Sequence, residues 1–375
     1  MLYEIHLLKN YGPVNLNRDD SGSPKTVFFG NSTRSRISSQ CLKRVWRTSP
    51  IFQEAIGVTN LGVRTRKFPL LVKNKLIELG VSEEVAEAVM PVLTGFGNKE
   101  GKESKSGDST SQIAFYAQED IDNVAQIVKA KLETCTSVKD VRKMKAKELL
   151  ADITDAGVRP ISVDVALFGR MVTSDAFRNV DASIAVSHAV STNKLHTDSD
   201  YFTAMDDLLT GDSMEEAGAA MIGDLEFGAN CYYSYAAIDS DALRANLDYS
   251  QDADAIVKKV IPALIQTMAF SNPSGKQNSF AGYALPSVVM VECKEQKVPT
   301  SMIDAYVEPV HAGKDLICDS AKRLADHADM VARNFGLKVN ERLWFCVDKY
   351  DVKPESATKV CSTFQELVDA VSATM

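Results

Sequence analysis

The chain opens on an alternation: Tyr3, Ile5 and Leu7 fall on one face, and Glu4, His6 and Leu8 on the other. A period of two predicts a strand with one well-buried side. Gly12, Pro13, Asn15, Asn17, Asp19, Asp20, Gly22 and Pro24 follow, and such turn-forming residues predict an irregular surface loop. Val27, Phe28 and Phe29 make a second short strand closed by Gly30-Asn31. From about Val58 to Val180 the apolar spacing is helical, through Leu70, Leu71, Leu76, Ile77 and Leu79, then Val85, Val89, Val92 and Leu93, then Ile121, Val124, Ile127, Val128 and Leu132. Within that block, 98–112 carries no apolar residue and predicts a mobile loop that adds nothing to a core. A polar, acid-rich excursion covers about 187–227, with Tyr201, Phe202, Met205, Leu208, Leu209, Met221 and Ile222 scattered through it. Strands are expected at 229–238, 287–292 and 344–347, and helices at 242–268, 302–335 and 364–371. With the helical block lifted out, this order fits an α+β sandwich of the ferredoxin-like or RNA-recognition kind.

Hydrophobic residues at 45% and charged residues at 25% are average for a soluble globular protein. No apolar run approaches the ~18 residues of a membrane helix, and the start lacks the features of a secretory signal. The seven cysteines are scattered without a CxxC, as in reduced thiols of a cytoplasmic protein. Net charge is −8, which taken globally argues against nucleic acid as a partner. Its distribution reverses that inference. Residues 1–70 hold eleven Lys or Arg against four acids, a net of +7, which leaves −15 on the remaining 305 residues. A basic surface on an acidic body is the expected result.

That surface has a candidate centre. On a helix starting near Ser39, Cys41, Leu42, Val45 and Trp46 share one arc, and Gln40, Lys43, Arg44 and Arg47 share the opposite one. Ser38 or Ser39 is a good N-cap, and the free amides of a first turn attract phosphate. Lys25, Arg34 and Arg36 arrive from the preceding loop, so cations and hydroxyls converge where a nucleic-acid backbone fits. An ordinary amphipathic surface helix has the same pattern. A second polar cluster, Ser274-Gly275-Lys276-Gln277-Asn278-Ser279, offers donors to phosphate, ribose or base edges, or is a plain turn. Enzyme signatures are weak. There is no Walker A sequence, Gly95-Phe96-Gly97 lacks the spacing of a dinucleotide loop, and the five histidines form no metal-ligand pair. Asp19-Asp20 and Asp206-Asp207 are adjacent carboxylates with the chemistry to hold Mg²⁺, although such loop residues are more often solvated or capping.

Several segments are familiar. Asn15-Leu16-Asn17-Arg18-Asp19-Asp20, Phe29-Gly30, Arg36-Ile37-Ser38-Ser39-Gln40 and Leu42-Lys43-Arg44 resemble the N-terminal signature of CasC-type backbone subunits, members of the RAMP superfamily in the type I-E CRISPR Cascade complex. Gly169-Arg170-Met171, Thr173-Ser174, the stretch from Val180-Asp181 to His188-Ala189, Phe202-Thr203-Ala204, Asp206-Asp207-Leu208, Glu226-Phe227, Lys276-Gln277 and Val289-Met290-Val291 continue the likeness in the same order. It covers most of the chain and is weakest beyond about 340. The resemblance implies a hand-like subunit: a modified RNA-recognition palm (1–58, 181–189 and 229–375), a helical finger insertion (59–180) and a thumb hairpin (190–228). It further implies copies that stack as a filament along crRNA, with target DNA and other Cascade subunits as partners, and no cofactor, metal, membrane or catalysis. Arg18, Lys25, Arg36, Ser38, Gln40, Lys43, Arg44 and Arg47 are the expected guide-backbone contacts, with Lys276 and Gln277 as additions. Met171, Tyr201, Phe202, Met205 and Ile222 are expected to border a nucleotide displaced by the thumb. The alternative is a backbone subunit that cleaves target RNA through Asp19 or Asp20; a metabolic α+β enzyme is the reading that lacks motifs.

Overall fold

The computed structural model describes residues 1–98, 101–104, 107–155, 161–174, 176–204, 221–247, 252–311 and 315–375. Met205 and Asp206-Asp207 lie outside them. The strands are β1 (Leu2–Val14), β2 (Thr26–Phe29), β3 (Ser32–Ile37), β4 (Val63–Thr65), β5 (Ala114–Tyr116), β6 (Ile184–Val186), β7 (Ala189–Ser191), β8 (Asp198–Ala204), β9 (Met221–Asp239), β10 (Pro286–Lys294), β11 (Glu341–Cys346) and β12 (Lys359–Cys361). Contacts divide the chain into two units, one of 1–52, 185–238 and 261–375, the other of 53–184 and 239–260.

The first unit is a mixed α+β body around a sheet of order β12-β11-β10-β1-β9-β7-β3-β2, with β6 and β8 pairing to β9 off that path. β1 runs antiparallel to β10 with Leu2 opposite Lys294 and Ile5 opposite Val291, and β11 pairs with β12 in parallel. Alternation places Leu2 and Leu8 with Met290 and Trp344 against Leu324, Ala328 and Val331 of the helix Leu316–Phe335. On the opposite face Lys9 reaches the end of the helix Ala253–Phe270, and Tyr3 reaches Thr374 beyond the helix Phe364–Ala373.

Helices on both faces correct the expectation of a strand with one buried side. Glu4 and His6 are wholly buried, because they belong to an internal polar network. Lys294 pairs with Glu4 and, at 2.8 Å, with Glu292; Arg342 holds Glu292 at 2.7 Å and Asp329 at 3.2 Å. Tyr235 donates to the Glu4 carboxylate. The Met302 amide donates to the Tyr233 hydroxyl at 2.8 Å, and that hydroxyl is hydrogen-bonded to His6 Nδ1, also at 2.8 Å. Burial, opposed in part by Glu292, drives the His6 imidazole down to about 3. Burial raises Glu4, with Lys294 opposing, whereas at Glu292 the cations Arg342 and Lys294 outweigh burial and leave the carboxyl below its ordinary value.

In the second unit, helices such as Phe68–Glu78, Glu83–Thr94 and Gln118–Leu132 enclose a core in which Phe68 stacks on Tyr116 at 4.3 Å and meets Phe177 edge-on at 5.3 Å. The short antiparallel pair β4–β5 joins them. The buried Arg170 guanidinium pairs with Asp120 at 2.6 Å. The expectation that all of 98–112 stays off the core is corrected at one end: Thr110 is buried, with its amide on the Arg66 carbonyl at 2.8 Å. A hydroxyl that bonds locally replaces the missing apolar side chain. Elsewhere two predicted helices are shorter or broken. The span 242–268 is two helices, Ser240–Asn246 and Ala253–Phe270, and 302–335 begins with a 3₁₀ turn at Ile303–Tyr306 before the helix Leu316–Phe335. Among the described residues no helix is long and apolar enough to cross a membrane.

Candidate nucleic-acid interface

The helix α1 (Ser39–Arg47) has the expected two faces. Leu42 and Trp46 are buried, Cys41 and Val45 half-buried, Gln40 and Arg44 exposed, and Lys43 and Arg47 half-exposed. Ser38 is the N-cap, its hydroxyl accepting the Cys41 amide at 3.3 Å. The first turn is nevertheless less open to phosphate than the sequence suggests. The Ser38 amide is taken by Asn17 Oδ1 at 2.9 Å, and the Ser39 amide by His188 Nδ1 at 2.9 Å. Ser38 is itself buried, so its first role is the cap.

Main-chain bonds gather the other polar groups around this turn. The Lys25 amide donates to the Asn17 carbonyl and the Arg36 amide to the Lys25 carbonyl, both at 2.8 Å, while Arg18 bridges to Pro24. Arg36 lies on β3, where its Nε donates to the Thr26 carbonyl at 3.2 Å. The 274–279 cluster joins from the far end of the sequence. A Cβ on Gly275 would stand 2.1 Å from the Leu16 carbonyl oxygen, so only glycine allows this approach, and it sets exposed Lys276 beside the 15–17 segment. Among the described residues, Arg18, Lys25, Arg36, Lys43, Arg44 and Lys276 have no carboxylate within ion-pair distance. These six cations near one turn, without counter-charge among the described residues, form a basic surface.

Two expected contacts are reassigned. Arg34 does not join the surface: it is buried, and its guanidinium donates to the carbonyls of Ser191 (2.8 Å), Thr192 (3.0 Å), Tyr306 (2.8 Å) and Val307 (3.2 Å). Four carbonyls of converging loops absorb its donors. Gln277 directs its amide nitrogen inward, to the Pro273 carbonyl at 2.7 Å and the Gly282 carbonyl at 3.0 Å, which braces the loop instead of presenting a donor. Asp19 is committed as well. Its Oδ1 accepts from the Ser21 amide and hydroxyl and the Ser23 amide, and those bonds, led by the hydroxyl, lower its carboxyl below the ordinary value.

β8 and the start of β9 form an exposed hairpin with Phe202 opposite Gly223, Tyr201 opposite Asp224 and Thr203 opposite Ile222. Strand alternation therefore separates the expected wedge residues. Tyr201 (65% exposed) and Ile222 (61%) share one face, and Phe202 (40%) lies on the other. The Phe202 ring covers Gly223 so closely that a Cβ there would stand 2.3 Å from its Cζ. Met171, 90% exposed, belongs to the second unit, where it follows Gly169 and the buried Arg170. His188 and Asn17 are the residues beside this turn that the pattern did not single out. They touch α1 only through chain reversals, Ser39 and His188 being far apart in sequence, and no local periodicity signals that.

The fold has relatives among solved structures. One chain of a structure titled "CRISPR RNA-guided surveillance complex, pre-nicking" is 24% identical, with 100% of each chain covered and a TM-score of 0.84. Another, titled "CRISPR RNA-guided surveillance complex", is 21% identical, again with 100% of each chain covered, and has a TM-score of 0.72. No curated protein matches the chain significantly. The model of the CT1975-like protein family, Cas_CT1975, matches residues 3–370, so nearly the whole sequence answers to one family pattern, and the chain belongs to that family.

Proposed function

We propose that the chain is a guide-RNA-binding backbone subunit of a CRISPR Cascade surveillance complex, of the type I-E kind within the RAMP superfamily. In this reading it acts by assembly and without catalysis. The first unit supplies a palm of the modified RNA-recognition kind, the helical unit a finger, and the β8–β9 hairpin a thumb. Copies polymerise along the crRNA spacer in the cytoplasm, beside other Cascade subunits, and present the guide for pairing with target DNA. The observation that carries the reading is the uncompensated cation surface around α1, formed by Arg18, Lys25, Arg36, Lys43, Arg44 and Lys276. Cations and hydroxyls grip phosphate and ribose without reading bases, which suits a subunit that must hold any spacer. Full-length likeness of fold to chains of RNA-guided complexes supports it. The commitment of Asp19 to a turn favours the non-catalytic form over RNA cleavage through that carboxylate. The test is purification of the complex with its nucleic acid. A short bound RNA, with complementary RNA left intact in Mg²⁺, is the expected result; cleavage of that RNA, abolished by Asp19→Ala or Asp20→Ala, would replace this reading with the nuclease one.

A further inference from the structure

His188 stands at the N-terminus of α1 in a way that fixes what it can offer. Its Nδ1 accepts the Ser39 amide at 2.9 Å, so in the neutral ring the proton must sit on Nε2. The residue is exposed, and among the described residues Nε2 has no recorded partner. Partial burial first, then the cations Arg36 and Lys25, hold the imidazole below its ordinary 6.5. At neutral pH the ring is thus an uncharged donor with a fixed tautomer, set among cations that have no carboxylate partner. Anionic oxygen is the ligand that satisfies both the donor and the cations.

We propose that His188 is a nucleic-acid contact, donating Nε2–H to a backbone phosphate oxygen of the bound RNA; this rests on the RNA-binding reading above. The amides of Ser38, Ser39 and Cys41 are capped within the protein, so they do not face the phosphate directly. Instead the chain Ser39 N–H to Nδ1, then Nε2–H to phosphate, carries the positive end of α1 outward through the ring. The proton stays on Nε2 throughout.

The inference separates His188 from its neighbours by salt. A neutral donor adds affinity without displacing a counterion, whereas each lysine or arginine on a phosphate adds about 0.7 to the salt slope for single-stranded RNA. The full chain and a mixed-sequence single-stranded RNA serve as the probe, with affinity measured across a salt series. His188→Asn places an acceptor near the Nδ1 position for the Ser39 amide but removes the remote donor. It should weaken binding roughly tenfold, the scale of a hydrogen bond to a charged group, with an unchanged slope, while Lys43→Ala flattens the slope. Undiminished affinity, or a slope reduced by about 0.7 as for a cation, overturns the assignment. Should the variant melt early, ¹⁵N-histidine spectra of the wild-type chain decide: Nε2 protonated and shifted by RNA supports the contact, and an Nε2 that ignores RNA refutes it. Failure of the parent reading looks different, because then Lys43→Ala combined with Arg44→Ala has no effect either.

Discussion

Arg34 and Arg36 stand two residues apart on one strand and have opposite fates. Arg34 is sealed inside and spends its donors on four carbonyls, while Arg36 is half-exposed with no carboxylate beside it among the described residues. The same contrast holds between whole regions. On β1, β10 and β11 the charges Glu4, Glu292, Lys294 and Arg342 are buried and answer one another, and Arg18, Lys25, Arg36, Lys43, Arg44 and Lys276 around α1 meet no carboxylate among the described residues. A charge whose partners lie within the chain sets structure; a charge without them is available to a ligand. Removing a member of the first group strands a buried charge, and removing a member of the second leaves the fold untouched.

The sharpest break in that contrast is predicted at Arg342. Arg342→Met leaves Glu292 with Lys294 alone, and chemical denaturation should show a loss of about 3 to 5 kcal/mol. Adding Glu292→Met should recover much of it, since a stranded carboxylate is the main cost; an Arg342→Met variant of wild-type stability would show that the network is not what holds these strands. Lys43→Ala with Arg44→Ala should do the reverse. Its unfolding free energy should stay within about 0.5 kcal/mol of wild type, while the salt slope of RNA binding falls by about 1.4, two phosphates at about 0.7 each. Early melting of that pair would move α1 into the structural class.

The hairpin sharpens the comparison with uncharged residues. Phe202→Ala should leave guide loading and melting temperature nearly unchanged and weaken target binding by about 1 to 3 kcal/mol, the scale of one aromatic stacked on a base. Gly223→Ala, which drives the ring from its seat without removing it, should give the same phenotype in milder form. A Phe202→Ala protein that melts early and arrives without RNA would mean that the ring packs only for the hairpin's own sake.

The buried network should also be visible in pH. His6 is held neutral to about 3 when folded against 6.5 as its ordinary value, so between those limits the unfolded chain binds more protons. Stability contributed by neutral His6 is complete above 6.5 and is lost as pH falls toward 3. Melting temperature should decline over that window less steeply in His6→Asn than in wild type. Equal declines in the His6 variant and wild type would remove His6 from the network's pH response.

Much of this division can be read in the order of residues, and the unread part has one cause. The apolar arc of α1 predicted its buried face because helical neighbours are local. Strand alternation gave β1 correctly and misjudged it, since Glu4 and His6 look like a solvent face until Glu292, Lys294 and Arg342 arrive from the other end of the chain. Arg34 and Gln277 look like surface donors for the same reason: the carbonyls that occupy them come from distant or looping segments. His188 and Phe202 repeat the lesson, one through a contact to Ser39 and the other through a partner strand that puts it on the face opposite Ile222. Polar residue type announces capacity for a hydrogen bond, but only the fold tells which capacities are already spent.

The pairing of β1 with β10 also has a consequence for how the protein is made. Residues 2–9 find their register against 286–294, and the sheet that contains them is assembled from three separated stretches of chain. At about 5 to 20 residues per second, tens of seconds pass between the emergence of β1 from the ribosome and that of its neighbour. During that interval the helical residues 53–184, whose contacts are short in sequence, are free to condense first. The nascent β1, destined for burial on both sides and edged with unpaired amides, waits longest for its β10 partner, so translation speed and chaperone cover over this one segment are what the yield of folded protein should depend on most.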